Sequence, residues 1–156
     1  MANSYKRVYL HLVFAVKNRD AVLDKSFRND LFKYISATLT NRGHYALAVN
    51  GFTDHIHIFF DYNCRELVED IVREIKKTSS NYIKERKLVK GKFEWQSGYG
   101  LFSHGFREKK AIIDYIKKQE EHHQRRTFKN EYLSLLKSFD VEFDDRYLFD
   151  FNLTDN

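Results

Sequence analysis

The chain has 156 residues, of which 42% are hydrophobic and 31% are charged. This size and balance are typical of a globular protein with one core, and they argue against a disordered chain. No apolar stretch approaches the roughly 20 residues that a membrane-spanning helix needs, and the first residues lack a signal-peptide pattern, so we expect a cytoplasmic protein. The single cysteine, Cys64, excludes an intramolecular disulfide and lacks the partners of a zinc ribbon or redox pair.

The charge is distributed unevenly along the chain. Residues 138–156 form an acidic tail with six acidic residues against one arginine, a net charge of −5. Because the whole chain carries +5, residues 1–137 carry +10. A basic body of this kind attracts polyanions and speeds their capture. The distribution therefore favours nucleic acid as a partner, although a solvated surface would account for the same excess.

The first half of the chain alternates between strand and helix patterns. Residues 5–17 alternate apolar and polar side chains as a strand does, and residues 24–41 repeat apolar side chains at the helical period, with Asp24 as the N-cap. Residues 44–52 and 54–62 are two short strand patterns, so close together that a hairpin is the natural connection. We therefore expect antiparallel pairing here.

The second half repeats the alternation and adds helices. Residues 64–88 predict a second helix, 93–103 a fourth strand, 106–124 a third helix and 128–138 a shorter helix before the acidic tail. This order predicts an α+β protein with a ferredoxin-like βαββαβ fold, an antiparallel sheet with helices on one face and additional C-terminal helices. The chain has no proline and no internal repeat at which to divide it. We therefore expect a single domain over residues 1–156.

Two histidines in the third predicted strand are candidate metal ligands. In the run Asp54-His55-Ile56-His57-Ile58, the period of two sends both histidines to one face of the strand and both isoleucines to the other. Two imidazoles then converge at the spacing that one divalent ion needs. Two polar residues on a solvated strand face are the alternative that this motif leaves open.

Tyr115 and Gln119 form a second candidate motif, in the third predicted helix. They are four residues apart and therefore share a helical face, beside a buried stripe formed by Ile112, Ile113 and Ile116. A phenol with an ordinary pKa of about 10 is a poor nucleophile at neutral pH, so it needs a nearby cation. A metal ion at the two histidines would supply one. An amphipathic tyrosine beside a solvent-facing glutamine is the alternative.

Together, His55-Ile56-His57, Tyr115 and Gln119 resemble the motifs of the HUH endonucleases, specifically the single-tyrosine transposases of the smallest bacterial insertion sequences. The resemblance extends over nearly the whole chain, because the length, the element order and the placement of the tyrosine agree. It implies that the two histidines and the glutamine bind Mg²⁺ or Mn²⁺ and that the tyrosine attacks the DNA backbone. Attack would leave a covalent 5′-phosphotyrosine and a free 3′-OH.

The resemblance also implies the partners. The substrate would be single-stranded DNA with the hairpin ends of a mobile element, and the protein would be a homodimer in which the tyrosine of one subunit completes the metal site of the other. A replication initiator or relaxase is a rival, although such proteins usually carry a third metal-binding histidine or extra domains. A domesticated endonuclease is a second rival, and a non-catalytic single-strand binding module on the same scaffold is a third.

Candidate DNA contacts form a basic run along the second predicted helix and the following loop: Lys76, Lys77, Lys84, Arg86, Lys87, Lys90 and Lys92. Such a run suits phosphate contact, and a solvated helix face explains it almost as well. His122 falls on the same helical face as Tyr115 and Gln119 and is predicted to support the site, whereas His123 is interpreted as an ordinary helix residue. Three further histidines carry no motif and are interpreted as structural: His11, His44 and His104.

Overall fold

Four strands form one antiparallel sheet in the computed structural model, which describes residues 4–148. The strands are β1 (Tyr9–Ala15), β2 (Tyr45–Gly51), β3 (His55–Asp61) and β4 (Gly100–His104). Their order across the sheet is β2-β3-β1-β4, so β1 lies in the interior of the sheet and pairs with β3 and β4. The predicted acidic tail over residues 138–156 extends beyond the described range.

Two long helices, α1 (Lys25–Asn41) and α2 (Val68–Glu85), make the crossover connections of the sheet. α1 begins at its predicted cap, because the Asp24 side chain accepts a hydrogen bond from the Ser26 backbone N–H at 2.9 Å. Four shorter helices follow β4: α3 (Lys109–Lys117), α4 (Gln119–His123), α5 (Phe128–Ser138) and α6 (Asp145–Leu148). The predicted βαββαβ order with additional C-terminal helices is confirmed.

Within the described range, no helix is long and apolar enough to cross a bilayer.

The side chains of β3 alternate between the two faces of the sheet, as the sequence predicts. Ile56 and Ile58 point into the core formed with α1 and α2. His55 and His57 point to the opposite face, where both are 0% exposed because the C-terminal helices cover them. The alternative of two polar residues on a solvated strand face is therefore wrong.

Each face of the sheet carries its own hydrophobic packing. On the first face, α1 and α2 contribute the buried residues Leu31, Ile35, Leu39, Ile71 and Ile75. On the second face, Leu136 of α5 packs with Val13 and Phe102, and Ile116 of α3 packs with Phe59. Burial of one such aliphatic side chain contributes about 1.5–3 kcal/mol. The predicted position of the crossover helices on one face is confirmed, and α3 and α5 cover the other.

Three elements are clearly shorter than predicted, and the first is β1, which covers Tyr9–Ala15 instead of residues 5–17. β4 begins at Gly100 instead of residue 93, and the preceding segment pairs through an isolated bridge between Trp95 and Val16. Gly98 has a φ of +87°, a left-handed conformation that interrupts extended pairing. α2 begins four residues later than predicted, because Cys64 has a φ of +61° and Leu67, directly before the helix, is extended with a ψ of 141°.

The third predicted helix, over residues 106–124, is interrupted. A 3-10 turn at Phe106–Glu108 precedes α3, and Lys118, with φ −97° and ψ 19°, separates α3 from α4. The break changes the direction of the following residues, so Gln119 is fully buried while Lys117 and Lys118 are exposed. The prediction of one continuous helix is therefore wrong, and the solvent-facing position considered for Gln119 is wrong with it.

Candidate active site

His55 is the first residue of β3, and its neighbour Asp54 orients its ring. His55 Nδ1 lies 2.8 Å from Asp54 Oδ1, so an N–H at Nδ1 donates to the carboxylate and leaves Nε2 with its lone pair. Nε2 lies 3.0 Å from Gln119 Oε1 and 3.5 Å from Glu131 Oε1. Phe128 stacks on the imidazole with ring centroids 4.1 Å apart and planes at 11°. The ring is thus fixed with an acceptor directed into the site.

His57 is held through both of its ring nitrogens. Nε2 lies 2.9 Å from Glu131 Oε1, and Nδ1 lies 2.7 Å from His11 Nε2 on β1. Burial lowers the pKa of His57 below its ordinary value, although the nearby Glu131 carboxylate opposes this shift. The imidazole is therefore neutral at neutral pH, which is the form that binds metals. His11 orients this ring, which adds a role to its interpretation as a structural residue.

Glu131, on α5, is a buried carboxylate at the centre of the site. Its Oε2 accepts hydrogen bonds from Gln119 Nε2 at 3.1 Å and from the Tyr115 hydroxyl. Its Oε1 faces His57 Nε2 and lies 3.1 Å from His123 Nε2. Burial opposes ionisation of Glu131, but the hydrogen bonds with His57 and His123 outweigh burial and hold the pKa of this carboxyl far below its ordinary value.

Tyr115 projects from α3 into the same site. Its hydroxyl donates to Glu131, and its ring meets His57 edge-on, with centroids 6.0 Å apart and planes at 86°. Burial raises the pKa of Tyr115 well above its ordinary value, and the charge of Glu131 raises it further. The phenol is therefore protonated at neutral pH in this arrangement, so a cation is needed to make it a nucleophile.

The donor atoms of the site fit a divalent metal ion. His55, His57 and Glu131 each place a ligand atom within 4.8 Å of the others. His55 Nε2 is an acceptor, because Asp54 takes the other ring proton, and it faces the acceptor oxygen of Gln119 at 3.0 Å. A cation bound by both atoms would stabilise two acceptors that face each other. Imidazole nitrogens combined with carboxylate and amide oxygens suit ions such as Mn²⁺.

The structure brings together the four residues that the two sequence motifs single out, namely Tyr115, His55, His57 and Gln119. The His122 ring lies beside Tyr115, with centroids 5.0 Å apart, where the sequence predicts a supporting residue.

Sequence reasoning missed two members of the site. Contrary to its interpretation as an ordinary helix residue, His123 places Nε2 3.0 Å from Gln119 Oε1. The other is Glu131, which belongs to no motif. One signal could have found it: Glu131 falls on the apolar stripe of α5, between Phe128 and Tyr132, where a charged residue is rarely buried without partners.

The predicted basic run of α2 lies away from this site. α2 packs on the face of the sheet opposite to the histidines. Lys76 Nζ donates to the backbone carbonyls of Gln96 and Gly98 at 2.8 and 2.7 Å, and burial lowers the pKa of Lys76 to about 8. The six other members of the run are exposed: Lys77, Lys84, Arg86, Lys87, Lys90 and Lys92. Their contact with DNA stays a prediction.

Comparison with known proteins identifies one matching family model. Residues 4–119 match the model described as "Transposase IS200 like". The matched range contains Tyr115, His55, His57 and Gln119, and it ends before α5 and Glu131. No curated protein sequence matches this chain significantly.

Two solved structures are similar in fold. A structure described as a putative transposase from Deinococcus radiodurans is 20% identical, with a TM-score of 0.58, and the match covers 76% of this chain and 95% of that one. A REP-associated tyrosine transposase bound to a REP hairpin is 17% identical, with a TM-score of 0.57, and the match covers 79% of this chain and 73% of that one. At these identities, the likeness bears on the fold alone.

Proposed function

This chain belongs to the IS200-like transposase family, and from this premise we propose that it is a metal-dependent transposase that cleaves and rejoins single-stranded DNA through Tyr115. The observation that carries the proposal is one shared carboxylate. Glu131 accepts the Tyr115 hydroxyl at Oε2 and faces His57 at Oε1. A nucleophile and a candidate metal site therefore meet within one buried cluster, which is the arrangement that phosphoryl transfer to a side chain needs.

In the proposed reaction, Tyr115 Oη attacks the scissile phosphorus, and the bond between phosphorus and the 3′ oxygen breaks. The products are a 5′-phosphotyrosine and a free 3′-OH. Glu131 Oε2, which already accepts the hydroxyl hydrogen, orients the attacking oxygen. The phenol proton passes to solvent, and the departing 3′ oxygen takes up a proton from solvent. Because the phosphotyrosine conserves the phosphodiester bond, attack by a 3′-OH in the reverse sense rejoins strands without ATP.

The metal would be held by His55 Nε2, His57 Nε2, Gln119 Oε1 and Glu131 Oε1. When bound, Mg²⁺ or Mn²⁺ supplies a Lewis acid that draws charge from the phosphate oxygens. Asp54 keeps the His55 ring in the tautomer that presents Nε2. His11 Nε2 lies 2.7 Å from His57 Nδ1 and would accept a hydrogen bond from it when His57 Nε2 binds the metal.

The proposed substrate is single-stranded DNA that carries the hairpin ends of a mobile element, and the protein would bind this DNA in the cytoplasm. The solved REP-associated relative bound to a REP hairpin supports this choice. The proposal includes a homodimer, because the family resemblance implies one. Within one chain, the Tyr115 hydroxyl donates to Glu131 and the Tyr115 ring meets the His57 ring edge-on.

The test is adduct formation on DNA from the protein's own genomic locus. Labelled single-stranded DNA carrying the hairpin-forming ends is incubated with the protein in Mn²⁺ or in EDTA. We expect a denaturation-resistant protein–DNA adduct in Mn²⁺ that is absent in EDTA and absent in Tyr115→Phe. Tyr5→Phe, which changes an exposed tyrosine, is the matched control and should form the adduct normally. Binding without any adduct on the correct ends would favour the non-catalytic module.

A further inference from the structure

An open cleft adjoins the site at the end of the sheet where β2 turns into β3. Its volume is about 250 Å³. Its walls come from the turn after β1, from the turn between β2 and β3 and from the segment joining α4 to α5, and they include Arg19, Phe52, Asp54, His123, Arg126 and Phe128. We call it the Arg126 cleft.

The Arg126 cleft shares three wall residues with the site itself. Asp54 accepts from His55, His123 contacts Gln119 Oε1, and Phe128 stacks on the His55 ring. A group bound in this cleft is therefore one residue away from the candidate metal ligands.

The aromatic walls of the cleft are already engaged. The Phe52 ring stacks on His123 at 5.6 Å, and the Arg28 guanidinium lies 5.5 Å from its centroid. Phe128 is 2% exposed and stacks on His55. A nucleobase needs an open aromatic face on which to stack. The cleft is therefore better suited to a sugar-phosphate backbone than to a base.

The polar groups of the cleft favour an anion. Arg126 is exposed at the rim, and its charge acts on Tyr115, lowering the pKa of that phenol against the larger effect of burial. Arg19 is half-buried in the opposite wall and remains charged at neutral pH, although burial lowers its pKa. The one carboxylate in the wall, Asp54, is hydrogen-bonded to His55, and its charge also acts on Arg19, raising the pKa of that guanidinium against the larger effect of burial. Thr53 and Thr127 also line the cleft, and the Thr127 hydroxyl accepts a hydrogen bond from the Asn130 backbone N–H at 3.2 Å.

We propose that the Arg126 cleft binds the phosphodiester group next to the scissile phosphate of single-stranded DNA, with Arg126 and Arg19 as its cationic contacts. The inference rests on the proposed function, and it adds the residues that place the strand. Arginine suits this task because its planar guanidinium pairs with two phosphate oxygens at once. Since the cleft adjoins His55, a phosphate held there would bring the neighbouring phosphate towards Tyr115.

The experiment measures binding in a Tyr115→Phe background with Mn²⁺, so that cleavage does not interfere. The probe is fluorescein-labelled single-stranded DNA from the hairpin-forming ends, together with a series in which one phosphate at a time is replaced by a neutral methylphosphonate. The variants are Arg126→Gln and Arg19→Gln, with Arg126→Lys to retain the charge. Arg65→Gln is the control, because it removes an exposed arginine beyond the opposite end of β3.

We expect Arg126→Gln and Arg19→Gln each to weaken binding roughly three- to tenfold at moderate salt and to make the salt dependence shallower by about 0.7 in slope. One methylphosphonate next to the cleavage position should weaken binding by the Tyr115→Phe protein and by its Arg65→Gln variant. It should weaken binding by the Arg126→Gln variant less, because only Arg19 then remains to contact that phosphate. Arg126→Lys should recover most of the affinity.

Unchanged affinity and salt slope in both glutamine variants would overturn the cleft assignment. If the protein with Tyr115 intact still formed its adduct, the proposed function would stand alone. A third outcome combines two results: the glutamine variants lose affinity, and the protein with Tyr115 intact forms no adduct. This outcome would overturn the proposed chemistry, and with it the placement of the cleft next to a scissile phosphate. Because the Arg126 side chain is exposed, its substitution tests the cleft without threatening the fold.

Discussion

Glu131 connects the nucleophile to the candidate metal ligands, because its two oxygens face different partners. Oε2 accepts from Tyr115, and Oε1 faces His57. Glu131→Gln keeps the size of the side chain and removes its charge. We expect this variant to bind Mn²⁺ at least about tenfold more weakly, measured by calorimetry, and to lose most of its adduct formation.

The matched control for this prediction is Glu85→Gln, which removes an exposed carboxylate from the end of α2. Its Mn²⁺ affinity should equal that of the unmodified protein. The melting temperature provides a second readout, since an ion that binds only the folded state raises it. A Glu131→Gln protein with undiminished affinity and an undiminished metal-induced rise in melting temperature would remove Glu131 from the ligand set.

At the scale of elements, α5 is the helix that carries Glu131 and Phe128 to the sheet. Its own anchor is Leu136, which is 5% exposed and packs with Val13 and Phe102. Leu136→Ala should lower the free energy of unfolding by about 2–5 kcal/mol, since it leaves a cavity in a packed cluster. The variant should also bind Mn²⁺ more weakly when binding is measured well below its melting temperature, because α5 then holds Glu131 less firmly.

Leu39→Ala is the comparison that separates these two effects. Leu39 is fully buried, but it lies on the opposite face of the sheet with α1 and α2. This variant should lose a similar free energy of unfolding while its folded form binds Mn²⁺ normally. Equal metal affinities in the two variants would mean that the docking of α5 does not control the site.

The elements also explain what sequence reasoning could and could not predict. Period-two alternation was enough to place His55 and His57 on one face, because the pleat of a strand fixes side-chain direction. Sequence patterns could not predict the break at Lys118, because the residues around Lys118 are ordinary helix formers and tertiary contacts turn Gln119 inward. Glu131 lies 74 residues from His57 in sequence, and only the packing of α5 brings them together.

On the scale of the whole molecule, the two faces of the sheet separate stability from chemistry. The face covered by α1 and α2 buries a continuous apolar cluster. The other face buries the polar groups of His55, His57, Gln119 and Glu131, which contact one another within the site, and a bound cation would satisfy the two acceptors His55 Nε2 and Gln119 Oε1. Polar groups buried in this way cost free energy unless every member finds a partner. The apolar face offsets this cost, so the fold can retain a buried polar cluster.

The arrangement within one chain leads to a prediction about the assembly. The sequence resemblance implies that a partner subunit supplies the tyrosine, whereas the structure places Tyr115 beside the His57 of the same chain. Tyr115→Phe and His57→Ala chains carrying different tags are co-expressed, and any mixed dimer is purified. We expect it to form no adduct, because neither chain holds both residues. A dimer of Tyr115→Phe with an unmodified chain is the control and should remain active. A phosphotyrosine on the His57→Ala chain would instead establish that its tyrosine reaches the histidines of its partner, so that α3 exchanges between two copies.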